Sequence, residues 1–216
     1  MSEREDRKIS LHVIRRLPRY LRFLSNITEQ GINRISSLEI GRQMRLAPSQ
    51  VRQDFNYFGG FGQQGYGYNV SQLQNKIHEI LQIDECLPAV LIGVGNLGSA
   101  IYGFILNGSY GISLIGLFDK DPAGAAIKIP GIKVLDISGL EAFCQKHKPE
   151  TAILCIPEEG AQSVAERLAA LGIKGIWNFS QADLRLPDRV LVENVHLGDS
   201  LLTLGFQLKD NTFNIK

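Results

Sequence analysis

Gly93-Val94-Gly95-Asn96-Leu97-Gly98 follows the apolar run Ala89-Val90-Leu91-Ile92 and leads, through a helical stretch, into a second apolar run ending at Phe118. Asp119 comes next, 21 residues beyond Gly98. Strand, glycine loop, helix, strand and acid in that order make a βαβ unit whose loop is shaped for a dinucleotide, and few other patterns restrict a fold so tightly. Each position has a physical reason. Gly93 permits the tight turn, Gly95 lets the backbone approach a pyrophosphate, and Gly98 lets the helix pack close to the strand. Free amides at the N-terminus of that helix then face the phosphates. A carboxylate at 119 would accept hydrogen bonds from a ribose diol and repel a 2'-phosphate, so NAD(H) is expected over NADP(H). No arginine neighbours Asp119 in the sequence.

The fingerprint starts only at residue 93, which leaves room for a separate unit before it. Charge supports two units. Residues 1–80 carry 12 Lys and Arg against 7 Asp and Glu, whereas residues 81–216 carry 11 against 15, so a net charge of +1 hides a basic front and an acidic back. Ten of the twelve front cations are arginines, the side chain suited to bidentate contact with phosphates and guanine edges. The three cysteines show no ligand or redox spacing and the four histidines are scattered, so no disulfide framework and no metal site is expected. No apolar run approaches the length of a membrane span, and a soluble cytoplasmic protein is expected.

In the first unit Pro18 can begin a helix with Leu17, Leu21, Leu24 and Ile27 on one face, stopped at Gly31. Ser36-Ser37-Leu38-Glu39 reads as a capping box opening a short helix to about Met44, and after a turn at Arg45-Leu46-Ala47, Pro48 starts another helix to about Tyr57. That is a helix-turn-helix. Its second helix places Ala47, Val51, Phe55 and Phe58 on an apolar stripe and Ser49, Arg52, Gln53 and Asn56 on the opposite face. Arg and Gln are the residue types that read guanine and adenine edges in a major groove, and Ser and Asn suit phosphates or further bases. Residues 58–68 interleave five glycines with four aromatics, as a hairpin wing lying along a groove or backbone would. A last helix follows from Ser71, and residues 84–88 read as a linker.

Beyond Asp119 strands and helices keep alternating. Strands are expected at 132–134, 151–156 and 175–179, and helices at 139–146 and 161–171. Ligands of such sheets sit beyond the carboxyl ends of the strands, which makes Pro157, Asn178 and Phe179 candidates for the nicotinamide side. Leu197, Leu201, Leu204 and Leu208 form an apolar helical stripe after the sheet is complete, and its pattern fits packing on its own domain or exchange with another subunit.

Taken together, Arg16-Leu17-Pro18-Arg19-Tyr20, Gln50-Val51-Arg52-Gln53-Asp54, Tyr57-Phe58-Gly59, Gly65-Tyr66-Gly67-Tyr68, the glycine fingerprint, Phe118-Asp119-Lys120-Asp121-Pro122, Asn178-Phe179 and Glu193-Asn194-Val195 resemble the Rex family of bacterial redox-sensing repressors, from about residue 10 to residue 208. The resemblance implies an α/β architecture of an N-terminal winged helix-turn-helix domain (1–84), a C-terminal Rossmann-type parallel-sheet domain (85–196) and a terminal, swapped dimerisation helix and tail (197–216). It implies a homodimer on an inverted-repeat operator, released by NADH and responsive to NAD+. By the same resemblance Lys120 and Ile156 join the cofactor set, and Arg16, Gln50, Tyr57, Gly59, Gly65 and Tyr66 join the DNA-contacting set. Four positions depart from the family pattern. Gln53 and Gln64 stand where basic residues are common, Phe104 where Tyr is, and His196 where Asp is. Two lost cations should weaken the salt-dependent phosphate contacts. The polar network linking the equivalent of Arg16 to the last two positions is expected to be wired differently, with Asp199 as a candidate substitute.

Two other classes of function compete with a repressor that is not an enzyme. A dehydrogenase uses only the fingerprint and needs a proton donor on a catalytic domain, whereas sheet and tail occupy everything after residue 88. A CoA-binding Rossmann protein without redox-switched DNA binding is nearer, but Asp119 argues for a free ribose diol.

Overall fold

The computed structural model describes residues 9–57, 59, 62–63, 66–125 and 133–209. Within the chain two compact units divide at Asp84/Glu85. Phe58, Phe61, Gln64, Gly65 and Ile132 of the sequence reading lie outside the described residues.

The first unit runs α1 (Leu11–Ile14), α2 (Leu17–Glu29), β1 (Arg34–Ile35), α3 (Ser37–Met44), α4 (Pro48–Asn56), β2 (Gly62–Gln63), β3 (Gly67–Asn69) and α5 (Val70–Leu81). Proline in the first turn opens both α2 and α4, where its missing N–H costs no hydrogen bond. Ser36 caps α3 by accepting from the Glu39 amide at 3.1 Å. Only that half of the expected capping box closes, because the Glu39 carboxylate accepts from Gln43 instead. Arg45, in the left-handed region at φ 55°, ends α3 and starts the turn into α4. The strands form a small antiparallel sheet in the order β1-β3-β2, with Ile35 opposite Tyr68 and Gly62 opposite Tyr68 on its other side.

Leu17, Tyr20, Leu24 and Ile27 are the buried face of α2. Tyr20 stands in that face where the sequence pattern placed Leu21, which is only half-buried. The aromatic step has a packing reason. Tyr20 meets Phe55 of α4 edge-on at 4.9 Å, and Phe55 meets Tyr68 of β3 at 5.0 Å, so one ring on α4 joins helices and sheet. Such pairs add about 0.5–1.5 kcal/mol beyond the burial of each ring.

The second unit runs β4 (Leu87–Ile92), α6 (Asn96–Leu106), β5 (Ile112–Asp119), β6 (Val134–Asp136), a 3-10 turn (Ile137–Gly139), α7 (Leu140–His147), β7 (Thr151–Leu154), α8 (Glu158–Ala170), β8 (Gly175–Asn178), β9 (Leu191–Asn194) and α9 (Leu197–Lys209). All strand pairs are parallel, in the order β6-β5-β4-β7-β8-β9. The order reverses between β4 and β7, which is where a doubly wound sheet opens a crevice. Alternation sorts the strand residues to two faces. Val90, Ile92, Phe118, Ala152, Leu154 and Ile176 pack with α7 and α8, whereas Leu91, Leu117 and Ile153 pack with α6.

Several elements differ from the sequence reading: the strand expected at 132–134 is Val134–Asp136, and β4 takes Leu87 and Pro88 from the expected linker. The strand expected to run to Ile156 ends at Leu154, and α8 begins at Glu158 rather than Ala161. Cys155-Ile156-Pro157 thus forms the crevice lip. A sixth strand, Leu191–Asn194, pairs with β8 where no strand was expected; its mostly exposed edge position leaves little hydrophobic pattern to read. The helix α9 buries none of its residues, so among the described residues nothing covers its apolar stripe.

Candidate functional sites in the two units

The glycine loop has the geometry its residues predict. Gly93 holds φ +90°, and a Cβ there would stand 2.3 Å from the Cys155 carbonyl oxygen. A Cβ on Gly98 would stand 1.9 Å from the Gly93 carbonyl oxygen, so α6 can pack on the loop only through a residue without a side chain. At Gly95 a Cβ would meet nothing within 4 Å. That open space lies in a cleft of about 480 Å³ bordered by Gly93 and Gly95. Gly95 is the N-cap of α6 and gives the helix no side-chain cap, so the first-turn amides are left for a ligand. The chain therefore fits an anionic dinucleotide diphosphate at this point.

Asp119, at the end of β5, borders the same cleft. Its Oδ2 accepts from the Val94 amide at 2.6 Å and its Oδ1 from the Asp121 amide at 3.0 Å. A carboxylate has lone pairs beyond these, so it can tie down the loop and still accept from a diol. Lys120, Ile156 and Pro157 also border the cleft, as the sequence reading expected. Sequence reasoning missed Ile137, Glu159, Val164 and Arg167, which come from the turn after β6 and from α8. No pattern near the fingerprint could have found Arg167, since it lies 48 positions beyond Asp119 and is brought in by the sheet order.

The side chains of Val94, Leu97, Asn178 and Phe179, all expected at the cofactor, do not border the cleft. Val94 is fully buried in the α6-side core, with Leu97 partly buried against it. Asn178 is buried, and its side chain is fully committed: the amide nitrogen donates to Ala182 O and Asn194 Oδ1, and Oδ1 accepts from the Ser180 amide and hydroxyl. It shapes the turn after β8 and does not border the cleft. Phe179 is 8% exposed, edge-on to Trp177 in the α6-side core. Burial holds the Cys155 thiol up at about 12, so this cleft residue is a neutral thiol near pH 7 and not a reactive thiolate.

In the first unit Ser49, Arg52, Gln53, Asn56 and Tyr57 are all exposed on α4, as are Gly59 and Tyr66 beyond it. Arg52 reaches the Ser37 hydroxyl at 3.2 Å, and the Arg34 guanidinium lies 6.0 Å from the ring centre of Tyr66. Ala47, expected in the apolar stripe, is instead the exposed N-cap. The buried polar residue that sequence reasoning passed over is Asp54. It is 0% exposed and accepts from Arg16 Nε at 2.7 Å, Arg16 Nη2 at 2.6 Å, Tyr20 Oη at 2.8 Å and Gln50 Nε2 at 2.9 Å. Despite its burial, these donors hold the Asp54 carboxyl below the usual range. Arg16 and Gln50, expected at DNA, thus spend these donors on the root of α4.

Of the departures from the family pattern, Phe104 is half exposed and stacks on Tyr110 at 4.6 Å. His196 Nδ1 stands 3.7 Å from Asp199 Oδ2. Among the described residues no cluster of His, Cys, Asp and Glu could hold a metal ion, and no helix is long and apolar enough to cross a membrane.

A winged helix-turn-helix with an exposed polar helix, joined in one chain to a doubly wound sheet with a glycine cleft, defines the class of nucleotide-responsive transcriptional regulators. Residues 8–56 match the family "Putative DNA-binding protein N-terminus", and residues 84–182 match "CoA binding domain". The chain is 48% identical over 203 residues to the redox-sensing transcriptional repressor Rex of Thermoanaerobacter pseudethanolicus, covering 94% of this chain and 91% of that one. It is 46% identical over 205 residues to Rex of Clostridioides difficile, covering 95% and 98%. The crystal structure of RSP in complex with NAD+ and operator DNA superposes with a TM-score of 0.86 at 46% identity, covering 95% of this chain and 94% of that one. RSP in complex with NADH gives 0.84 at 43% identity, covering 94% and 96%. The chain belongs to the Rex family of redox-sensing transcriptional repressors.

Proposed function

We propose that this chain binds an inverted-repeat operator as a homodimer, and that NADH held in the glycine cleft weakens that binding while NAD+ does so less or not at all. The observation that carries the reading is the pairing, in one chain, of the exposed Ser49/Arg52/Gln53/Asn56 face of α4 with a cleft formed at Gly93, Gly95 and Asp119. In this reading α4 enters the major groove, and Tyr57, Gly59, Gly65 and Tyr66 meet the backbone nearby. Arg16 and Gln50 contribute mainly by holding α4 through Asp54. Gly93 to Gly98, with Lys120, hold the diphosphate, Asp119 holds the ribose diol, and Ile156, Pro157 and Phe179 flank the nicotinamide end, with Asn178 fixing the turn there. The nicotinamide carries a positive charge only when oxidised, which is the difference a sensor must read.

The bare leucines of α9 support a dimer made by exchanging that helix, since contiguous exposed apolar surface marks an interface. A two-fold dimer then matches two half-sites. The reading includes no catalysis, in keeping with a family of repressors, and a cytoplasmic location, in keeping with a DNA partner.

Coupling between the ligands is reciprocal, so operator must weaken NADH by the factor by which NADH weakens operator, about 5–150-fold for a working switch. A gel shift on operator DNA at one fixed salt concentration, with NADH, with NAD+ and with neither, tests this, alongside NADH fluorescence on the protein alone. Equal operator affinity in all three conditions would sink the sensor reading even if NADH binds.

A further inference from the structure

The cleft contains a cation that the fingerprint does not announce. Arg167 of α8 borders it together with Asp119 and Lys120. An arginine in the same cleft as a ribose-binding carboxylate is suited to a 2'-phosphate, because the guanidinium grips phosphate oxygens through two parallel N–H donors. Here that grip is already taken. Glu141, in the first turn of α7, accepts from Arg167 Nε at 2.9 Å and from Nη2 at 2.7 Å, both on Oε1, and Nη2 also donates to the Ile137 carbonyl at 3.3 Å. The hydrogen bonds from Arg167 hold the Glu141 carboxyl below its usual range, so the pair stays charged and mutually neutralised at neutral pH.

We propose that Glu141 is a specificity-determining residue: by occupying Arg167 it denies a 2'-phosphate its partner and so reinforces the exclusion of NADPH begun by Asp119. The inference rests on the reading that this cleft holds a dinucleotide. Glu141 itself is not among the residues bordering the cleft, so its influence runs through the guanidinium. Its paired atoms are partly exposed, with side chains 37% and 45% accessible for Arg167 and Glu141, and the effect is therefore moderate and salt-dependent.

The test is fluorescence titration of the full-length protein with NADH and with NADPH, at low and at high salt. Glu141→Gln keeps the shape and one acceptor but removes the charge. It should tighten NADPH relative to NADH by about fivefold at low salt, with NADH itself changed less than about twofold, and the gain should shrink as salt rises. Arg167→Ala should leave the wild-type ratio nearly unchanged, and placed in the Glu141→Gln background it should cancel the gain. An unchanged NADPH-to-NADH ratio in Glu141→Gln, with NADH still bound, overturns the proposal. Glu141→Asp, which keeps the charge on a shorter arm, should fall between wild type and Glu141→Gln, and serves if the glutamine variant does not fold. If the wild-type protein binds neither nucleotide, the dinucleotide reading fails and the role of Glu141 falls with it, a result distinct from an unchanged ratio in a protein that binds NADH.

Discussion

Replacing Asp54 by Asn should destabilise the first unit and leave the second untouched. Asp54 is wholly buried and meets four donor hydrogens from three side chains. A carboxylate suits this because it only accepts; an Asn turns two of those meetings into donor against donor and leaves Arg16 without its counter-ion. Removing one member of a buried pair typically costs about 3–5 kcal/mol. Arg16 is 28% exposed in its side chain and can recover water, so the cost falls at or below the bottom of that range, about 2–3 kcal/mol. With a urea dependence of about 1–1.5 kcal/mol/M for a unit of this size, the midpoint should fall by roughly 2 M. Trp177, the only tryptophan, lies in β8 of the second unit, so its fluorescence follows that unit while far-ultraviolet dichroism also follows the helices of the first. The dichroism transition should split and its first part move, with the tryptophan transition unmoved. Because the folded-state pKa of Asp54 is depressed, its contribution is complete above the unfolded carboxyl value and lost as pH falls through the folded one. Wild type and Asp54→Asn should therefore converge in stability in acid, below about pH 4. A midpoint shift under about 0.5 M at pH 7, or an equal shift in both signals, would refute the claim that this network secures α4.

Arg52→Ala, on the exposed face of α4, should weaken operator binding by about 1–3 kcal/mol if it reads a base, and by less and evenly across sequences if it meets phosphate; unchanged affinity would remove this face from the interface. Asp119→Ala should cost NADH at least about tenfold, because it loses both the diol acceptor and the 2.6 Å tie to the Val94 amide, and should narrow the gap between NADH and NADPH; titrations showing equal wild-type affinity for the two would contradict its role. Truncation after Asn194 should convert the dimer to a monomer in light scattering, whereas an intact dimer would place the interface elsewhere.

Much of this molecule was readable in its residues because its signals are local. The glycine fingerprint, the two prolines opening α2 and α4, and the alternation of apolar runs with helical stretches each act within a few residues, where backbone sterics and side-chain period decide the outcome. The exposed Arg52 face could be read for the same reason. Three things could not. Asp54 carried no signal of its own in a polar helix, because its partners Arg16 and Tyr20 lie 38 and 34 positions away. Arg167 and Glu141 stand 26 positions apart, and the cleft that Arg167 borders is created by a sheet order that places β6, β5, β4 and β7 side by side. The position of Asn178 was read correctly as a strand end, but only packing shows that its amide is spent on the turn and on β9. Sequence thus determined which elements form and which chemistry the glycine loop permits. The tertiary structure decided which charges are neutralised and which remain free, since a charge's pairing depends on its neighbours in space and chain period carries no record of them.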